Sequence, residues 1–308
     1  MENKANDMTD RSAVFSDVTE DEVREAFDRT DYVAEDEIVT TVLLALRLGK
    51  PLLVEGEPGA GKTELAKVLA RGFDTELVRL QCYEGLTAEN ALYEWNYTKQ
   101  LLAVQAGNDP EESVFSEPYL LERPLLQALR DEGNRPPVLL IDEVDRADEE
   151  LEALLLEVLS DFQISVPELG TIEADQPPVV IITSNRTRAL SDALKRRCLY
   201  LHISAPSAEK EQAILHRKVP ELDRAVATEL SAMTARLREE PLRKPPGTAE
   251  TIDWARAVVA LQHDDETLTE DEIRNTMGCL LKEVEDIERI DGELLTALRE
   301  AATGTPDS

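Results

Sequence analysis

The chain has few lysines and very few cysteines or histidines, and each scarcity narrows what it can be. Among 308 residues there are 33 basic side chains against 64 acidic ones, a formal charge of −31, and only 10 of the basic residues are Lys. A sequence-independent nucleic-acid binder needs a basic footprint to displace counterions, so no nucleic-acid partner is expected. An anionic membrane surface is disfavoured for the same reason. The three cysteines (Cys82, Cys198, Cys279) form no CxxC pair and read as reduced thiols. The three histidines (His202, His216, His263) are equally scattered, so no zinc site is expected. No apolar run approaches the ~20 residues of a bilayer span. The longest, near Val42–Val54, is broken by Arg47 and Lys50. The opening residues are acidic and lack the apolar core of a signal peptide, so a cytoplasmic location is expected. A surface rich in acid and short of Lys suits a salt-rich cytoplasm, as in halophiles, where self-repulsion is screened.

What is present is enough apolar residue, 42%, to build a sizeable core. Three regions are expected: an acidic, partly mobile lead over 1–30, an α/β region over 31–205, and an all-helical region over 206–308. Ile38, Val42, Ala45 and Leu46 predict a helix from Asp36 to Gly49. Short apolar runs after prolines, at Leu52–Val54, Val138–Ile141 and Val179–Ile182, predict buried strands of a parallel sheet. Leu77–Gln81 and Leu199–Ile203 are weaker strands. Between them, Leu65, Ala66, Leu69 and Phe73 share one helical face, and Leu151, Leu154, Leu155, Val158, Leu159 and Phe162 share another. The alternation indicates an open sheet covered on both faces. Past Pro206 only helical stripes remain: Leu222 to Leu237, then Ile252, Ala255 and Val259, then Ile273, Met277, Leu281 and Val284, and last Leu294, Leu295 and Leu298.

Four motifs carry chemistry. Gly56, Glu57, Pro58, Gly59, Ala60, Gly61, Lys62 and Thr63 match GxxxxGK[ST], and with Glu64 they form the expected nucleotide-binding stretch. The glycines let backbone N–H groups face a phosphate, Lys62 neutralises the β and γ phosphates, and the Thr63 hydroxyl ligates Mg²⁺. Asp142 and Glu143 end an apolar strand downstream of this loop. Asp142 is the expected metal ligand and Glu143 the residue that polarises the attacking water. An acidic pair alone means little in a chain with 64 carboxylates; its place on a buried strand gives it weight. Asn185 closes the next apolar strand, where a neutral amide can hydrogen-bond the γ phosphate or the lytic water. Finally, Lys195, Arg196 and Arg197 precede the last strand, and a guanidinium there offers a donor fork to a phosphate in transit.

Together these residues resemble the AAA+ ATPases, and more closely the MoxR family, over about Tyr32 to Leu261. The more specific stretches are Leu80–Gly85, Ala91–Tyr97, Leu156–Phe162, Pro167–Ile172 and Ala249–Trp254. They look like the subgroup associated with assembly of the molybdenum carbon monoxide dehydrogenase. The resemblance implies an AAA+ P-loop NTPase core, a parallel sheet flanked by helices, followed by a helical lid. It implies ATP and Mg²⁺, and a ring, usually hexameric, in which Arg197 (Arg196 in reserve) reaches the neighbour's nucleotide. Ala91–Tyr97 would fall in the family's helix-2 insertion and Ser165–Ala174 in a hairpin before the Asn185 strand. One departure stands out: where many relatives carry a lid Arg, the stretch Gly247–Thr251 offers Glu250, with Arg243 and Lys244 nearby as substitutes. The function expected is ATP-driven, chaperone-like maturation of a metalloenzyme with a von Willebrand A domain partner. The alternatives are a nucleotide-switched scaffold with little turnover or, against the charge, a DNA-handling ATPase.

Overall fold

The computed structural model describes residues 14–105, 115–166, 169–261 and 267–303. The first dozen residues, expected to be mobile, lie outside the described residues, as do Pro167, Glu168 and His263. The described residues divide into two compact units, one drawn from the chain up to residue 30, 34–55 and 62–202, the other from 31–33, 56–61 and 203 onward. No helix among the described residues is long and apolar enough to cross a membrane.

The first unit opens with α1 (Glu20–Arg29), inside the stretch that composition presents as an acidic lead. Thr19 and Glu22 cap it reciprocally, satisfying backbone donors at its first turn. Val23, Ala26 and Phe27, spaced to share one face, are buried, and Phe15 meets Phe73 edge-on at 5.3 Å. Three apolar side chains at helical spacing anchor this segment despite its charge. Helix α2 (Asp36–Leu48) stops at Gly49, which takes the left-handed conformation of a C-cap.

The central sheet comprises β1 (Leu52–Glu55), β2 (Leu77–Gln81), β5 (Val138–Asp142), β8 (Val179–Ser184) and β9 (Leu199–His202). Their order is β2-β5-β8-β1-β9, and every pairing is parallel. Strands β1 and β5 are buried along their whole length, as a sheet covered on both faces requires. The covering helices are α3 (Lys62–Gly72), α4 (Ala88–Leu92), α6 (Pro124–Leu129), α7 (Glu149–Asp161) and α8 (Asp192–Arg197). Leu125, Leu126, Leu155 and Val158 from two of them pack on Leu139, Ile141, Val180 and Ile182 of the sheet. Two hairpins are inserted: β3 (Tyr93–Trp95) with β4 (Leu120–Glu122), flanking α5 (Tyr97–Gln105), and β6 (Gln163–Val166) with β7 (Gly170–Glu173) just before β8. Phe162, expected as the last residue of the α7 stripe, instead caps that helix with φ 50° and turns the chain into β6.

The second unit is helical: α9 (Ala208–Lys218), α10 (Arg224–Arg238), α11 (Thr248–Ala260), α12 (Glu270–Leu280), α13 (Val284–Glu288) and α14 (Gly292–Thr303). Its core joins Leu230, Met233, Leu237, Trp254, Ile273, Met277 and Leu298. The α11 stripe is rotated from the expected one. Thr251, Trp254, Ala255 and Val258 are buried, while Ile252 and Val259 are only partly so. The large indole sets the rotation, because its Nε1 donates to Thr276 Oγ1 at 2.7 Å inside the core. The expected single stripe through Val284 is also corrected: α12 ends at an extended Leu281, and Val284 begins α13 largely exposed.

Candidate active site

Strands β5 and β8 run side by side and deliver their last residues to one place. Asp142, at the end of β5, is 2% exposed. Its Oδ1 accepts from Thr63 Oγ1 at 2.9 Å and from Thr183 Oγ1 at 2.6 Å. Thr63 sits in the first turn of α3, which follows the glycine loop directly. Carboxylate and hydroxyl oxygens are the hard donors that Mg²⁺ prefers, so this pair fits that ion. Among the described residues no cluster of His, Cys, Asp and Glu makes a separate metal site.

Glu143 follows in a left-handed conformation, φ 56°, which swings it off the strand direction. Its N–H donates to Thr183 Oγ1 at 2.9 Å. Its carboxylate accepts from Gln81 Nε2 at 3.1 Å and, more loosely, from Asn185 Nδ2 at 3.4 Å, and lies 3.1 Å from Arg146 Nε. Thr63, the adjacent Asp142 and Glu143, and Asn185, from three separate stretches of the sequence, are thus joined through Thr183 in one bonded cluster. Lys62, at the start of α3, is 6% exposed.

The glycine loop belongs to the second compact unit. Gly59 has φ +81°, and a Cβ there would lie 2.8 Å from the Gly247 Cα; the Gly59 carbonyl accepts from Thr248 N–H at 3.2 Å. Gly56 is required by close approach, since a Cβ would fall 2.0 Å from the Ile203 carbonyl oxygen. Glu250 is engaged in capping: its Oε2 accepts from Gly247 N–H at 3.2 Å. Arg243 points to Glu285, 2.6 Å away, and Asp286 holds the Arg243 and Lys244 backbone N–H groups.

Arg197 is not part of the bonded cluster. At the end of α8, its Nε donates to Ser160 Oγ at 3.0 Å and its Nη1 to the Ala193 carbonyl at 3.2 Å; Arg196 beside it is exposed. Glu64 likewise faces Lys67, 3.5 Å away.

Sequence reading missed Arg79, Gln81, Thr183, Asp145 and Arg146. Arg79 places Nε and Nη2 at 3.1 and 2.5 Å from Asp142 Oδ2, and also bonds Gln81. The available signal was the period of two: in β2, Val78 and Leu80 are the buried pair, so Arg79 and Gln81 share the other face, and Gln81 pairs with Asp142 in register. Cys82, next along, is buried. Burial, then the charges of Asp142, Asp145 and Glu143, push its thiol up to about 12.

Residues 51–198 match the family described as an AAA domain (dynein-related subfamily). RuvB of Thermotoga petrophila, a Holliday junction branch migration complex subunit, is 23% identical over 291 residues, covering 90% of this chain and 75% of that protein. The uncharacterised Escherichia coli protein YehL is 31% identical over 169 residues, 52% of this chain and 42% of its own. A solved structure of a Thermotoga maritima RuvB variant covers 92% of this chain and 85% of its own, with a TM-score of 0.51 at 20% identity, a likeness of fold. With the P-loop and the strand-end carboxylates in place, residues 51–198 match an AAA domain of the dynein-related subfamily, and the chain is an ATPase that uses ATP with Mg²⁺.

Proposed function

We propose that this ATPase works as a MoxR-type remodelling machine, hydrolysing ATP in a ring to mature a protein complex. The observation that carries the hydrolytic part is the bonded cluster of Thr63, Asp142, Glu143 and Asn185. In this reading Gly56–Thr63, Lys62 among them, cradle the phosphates, with Glu64 following in the first turn of α3, while Thr63 and Asp142 hold Mg²⁺. The metal, when bound, neutralises phosphate charge. Glu143 takes the proton of the attacking water, and the Asn185 amide orients that water or the γ phosphate without adding charge. Arg197, with Arg196 in reserve, serves a neighbouring subunit, which a head-to-tail ring would allow at every site. An exposed guanidinium outside its own subunit's cluster is consistent with action in trans.

The remodelling part rests on the MoxR-like stretches and on the two inserted hairpins, of which β6–β7 stands directly before the Asn185 strand. The client class is a metalloenzyme, with a von Willebrand A domain protein as partner. Two observations bear on other readings. Glu250 is used as a cap and Arg243 is paired with Glu285, so neither offers a cation to the γ phosphate and Lys244 is left as the substitute, which favours slow turnover or a switch-like scaffold. RuvB acts on Holliday junctions, but a −31 chain lacks the basic footprint of a DNA motor.

The test is a pull-down with the Glu143→Gln protein held on ATP, beside a DNA-binding titration. ATP-dependent recovery of a von Willebrand A domain protein supports the proposal. Salt-resistant DNA binding that accelerates hydrolysis would replace it with the DNA-handling reading.

A further inference from the structure

Asn185 is held from behind by a carboxylate that the hydrolytic scheme does not use. Asp145, on the turn after Glu143, is 3% exposed. Its Oδ1 accepts from Asn185 N–H at 3.1 Å, and its Oδ2 accepts from Thr187 N–H at 2.9 Å and Thr187 Oγ1 at 2.6 Å. Arg186 between them has φ 60°, unusual for a side chain with a Cβ, and its N–H donates to Ser184 Oγ at 3.0 Å. Every backbone donor of residues 185–187 is therefore taken by a side-chain acceptor, and the strained residue is fixed from both sides. The Arg186 side chain is also tied, with Nε 3.6 Å from the nearly buried Glu55 carboxylate. Burial pushes the Asp145 carboxyl up, but the hydrogen bonds from Thr187 and Asn185 outweigh it and hold the group below the usual carboxylate range. Being ionised, it accepts from all three donors at once.

We propose that Asp145 is a positioning residue for hydrolysis. Its carboxylate fixes the 185–187 turn so that the Asn185 amide is presented to Glu143 and to the reacting phosphate. A second buried carboxylate extends the hold: Glu152 accepts from Ser191 N–H at 2.7 Å and from Arg188 Nη2 at 3.1 Å, just before α8 and Arg197. The claim deepens the reading of Asn185 given above and rests on it.

The experiment uses the full-length protein with Asp145→Ala, and with Asp145→Asn and Thr187→Val in case the alanine variant does not fold. Amide hydrogen exchange is read at residues 184–188, alongside ATP affinity and turnover, in wild-type and Asn185→Ala backgrounds. Expected for Asp145→Ala are exchange at least tenfold faster in 184–188 with β5 and β8 amides unchanged, and a tenfold fall in kcat with ATP affinity within twofold. In the Asn185→Ala background the same substitution should change kcat less than twofold, because it acts through the missing amide. Asp145→Asn and Thr187→Val, each removing part of the hold, should show the same pattern at smaller size. Unchanged exchange at 184–188, or an equal loss of kcat in both backgrounds, overturns the proposal. Failure of the Asn185 reading is recognised separately: Asn185→Ala alone would then turn over normally, and Asp145's role in hydrolysis falls with it, whatever the exchange shows.

Discussion

Removing Arg238 should strand a buried carboxylate in the helical unit. Glu211 is 0% exposed, and Arg238 meets it with Nη2 at 2.7 Å and Nη1 at 3.0 Å, while Thr251 Oγ1 donates to it at 2.9 Å. Arg238 Nε also holds the Pro246 carbonyl at 2.8 Å. Taking one partner from a buried, hydrogen-bonded ion pair costs about 3–5 kcal/mol, because the other charge stays behind unpaired. Against a domain stability of roughly 5–15 kcal/mol, Arg238→Met should shift the urea midpoint severely. Trp254 lies in this core, so its fluorescence in a Trp95→Phe background reports the helical unit. The sign with pH follows from Glu211. Burial already pushes its carboxyl above the ordinary value in spite of Arg238 and Thr251, and without the guanidinium it rises further. A carboxyl raised in the folded state costs stability as pH climbs through its folded pKa. The deficit of Arg238→Met should thus be small near pH 5 and grow toward pH 8, and adding Glu211→Gln should recover most of it. A deficit under about 1 kcal/mol at pH 8, or one independent of pH, would refute the reasoning.

Other outcomes follow from the same contacts. Thr63→Ala or Asp142→Asn should raise the Mg²⁺ concentration needed for ATP binding about tenfold or more, measured by titration with a fluorescent nucleotide. Asp145 and Glu152 are both held below their ordinary values of 3.8 and 4.5, against the opposing effect of burial, by hydrogen bonds and, for Glu152, by Arg188 as well. Their stabilisation is present above those values and lost as pH falls through the lower folded ones, so an Asp145→Asn, Glu152→Gln protein should show a shallower acid-unfolding slope. In the proposed ring each subunit carries a charge of −31, so that assembly should dissociate at low salt and form at high salt, by light scattering; a ring intact at low ionic strength would contradict this.

The parallel sheet was legible because β1, β5 and β8 are apolar on both faces and bounded by prolines or by the glycine loop, and a P-loop between strand and helix has few other uses. Asp142, Glu143 and Asn185 were legible because they end such strands. Arg79 and Gln81 were not: β2 alternates, and its significance depends on its lying beside β5, a pairing that no local pattern announces. Asp145 hid among 64 carboxylates, since what distinguishes it is burial under Asn185 and Thr187 rather than its type. Helix α1 was masked by its acid, though Thr19 and Glu22 form a capping signature ahead of Val23, Ala26 and Phe27. In the helical unit, periodicity found the helices but misjudged the face of α11, where one indole decides the packing.

Glu143 is the residue on which hydrolysis depends most directly in the proposed scheme. Single-turnover phosphate release should be measured in high salt with saturating ATP and Mg²⁺, for the wild-type protein and for Glu143→Gln. Loss of a general base in this position predicts a rate lower by about 10²–10⁴ with ATP affinity preserved. Equal rates in the two proteins would contradict the assignment of the hydrolytic step to the cluster at the ends of β5 and β8.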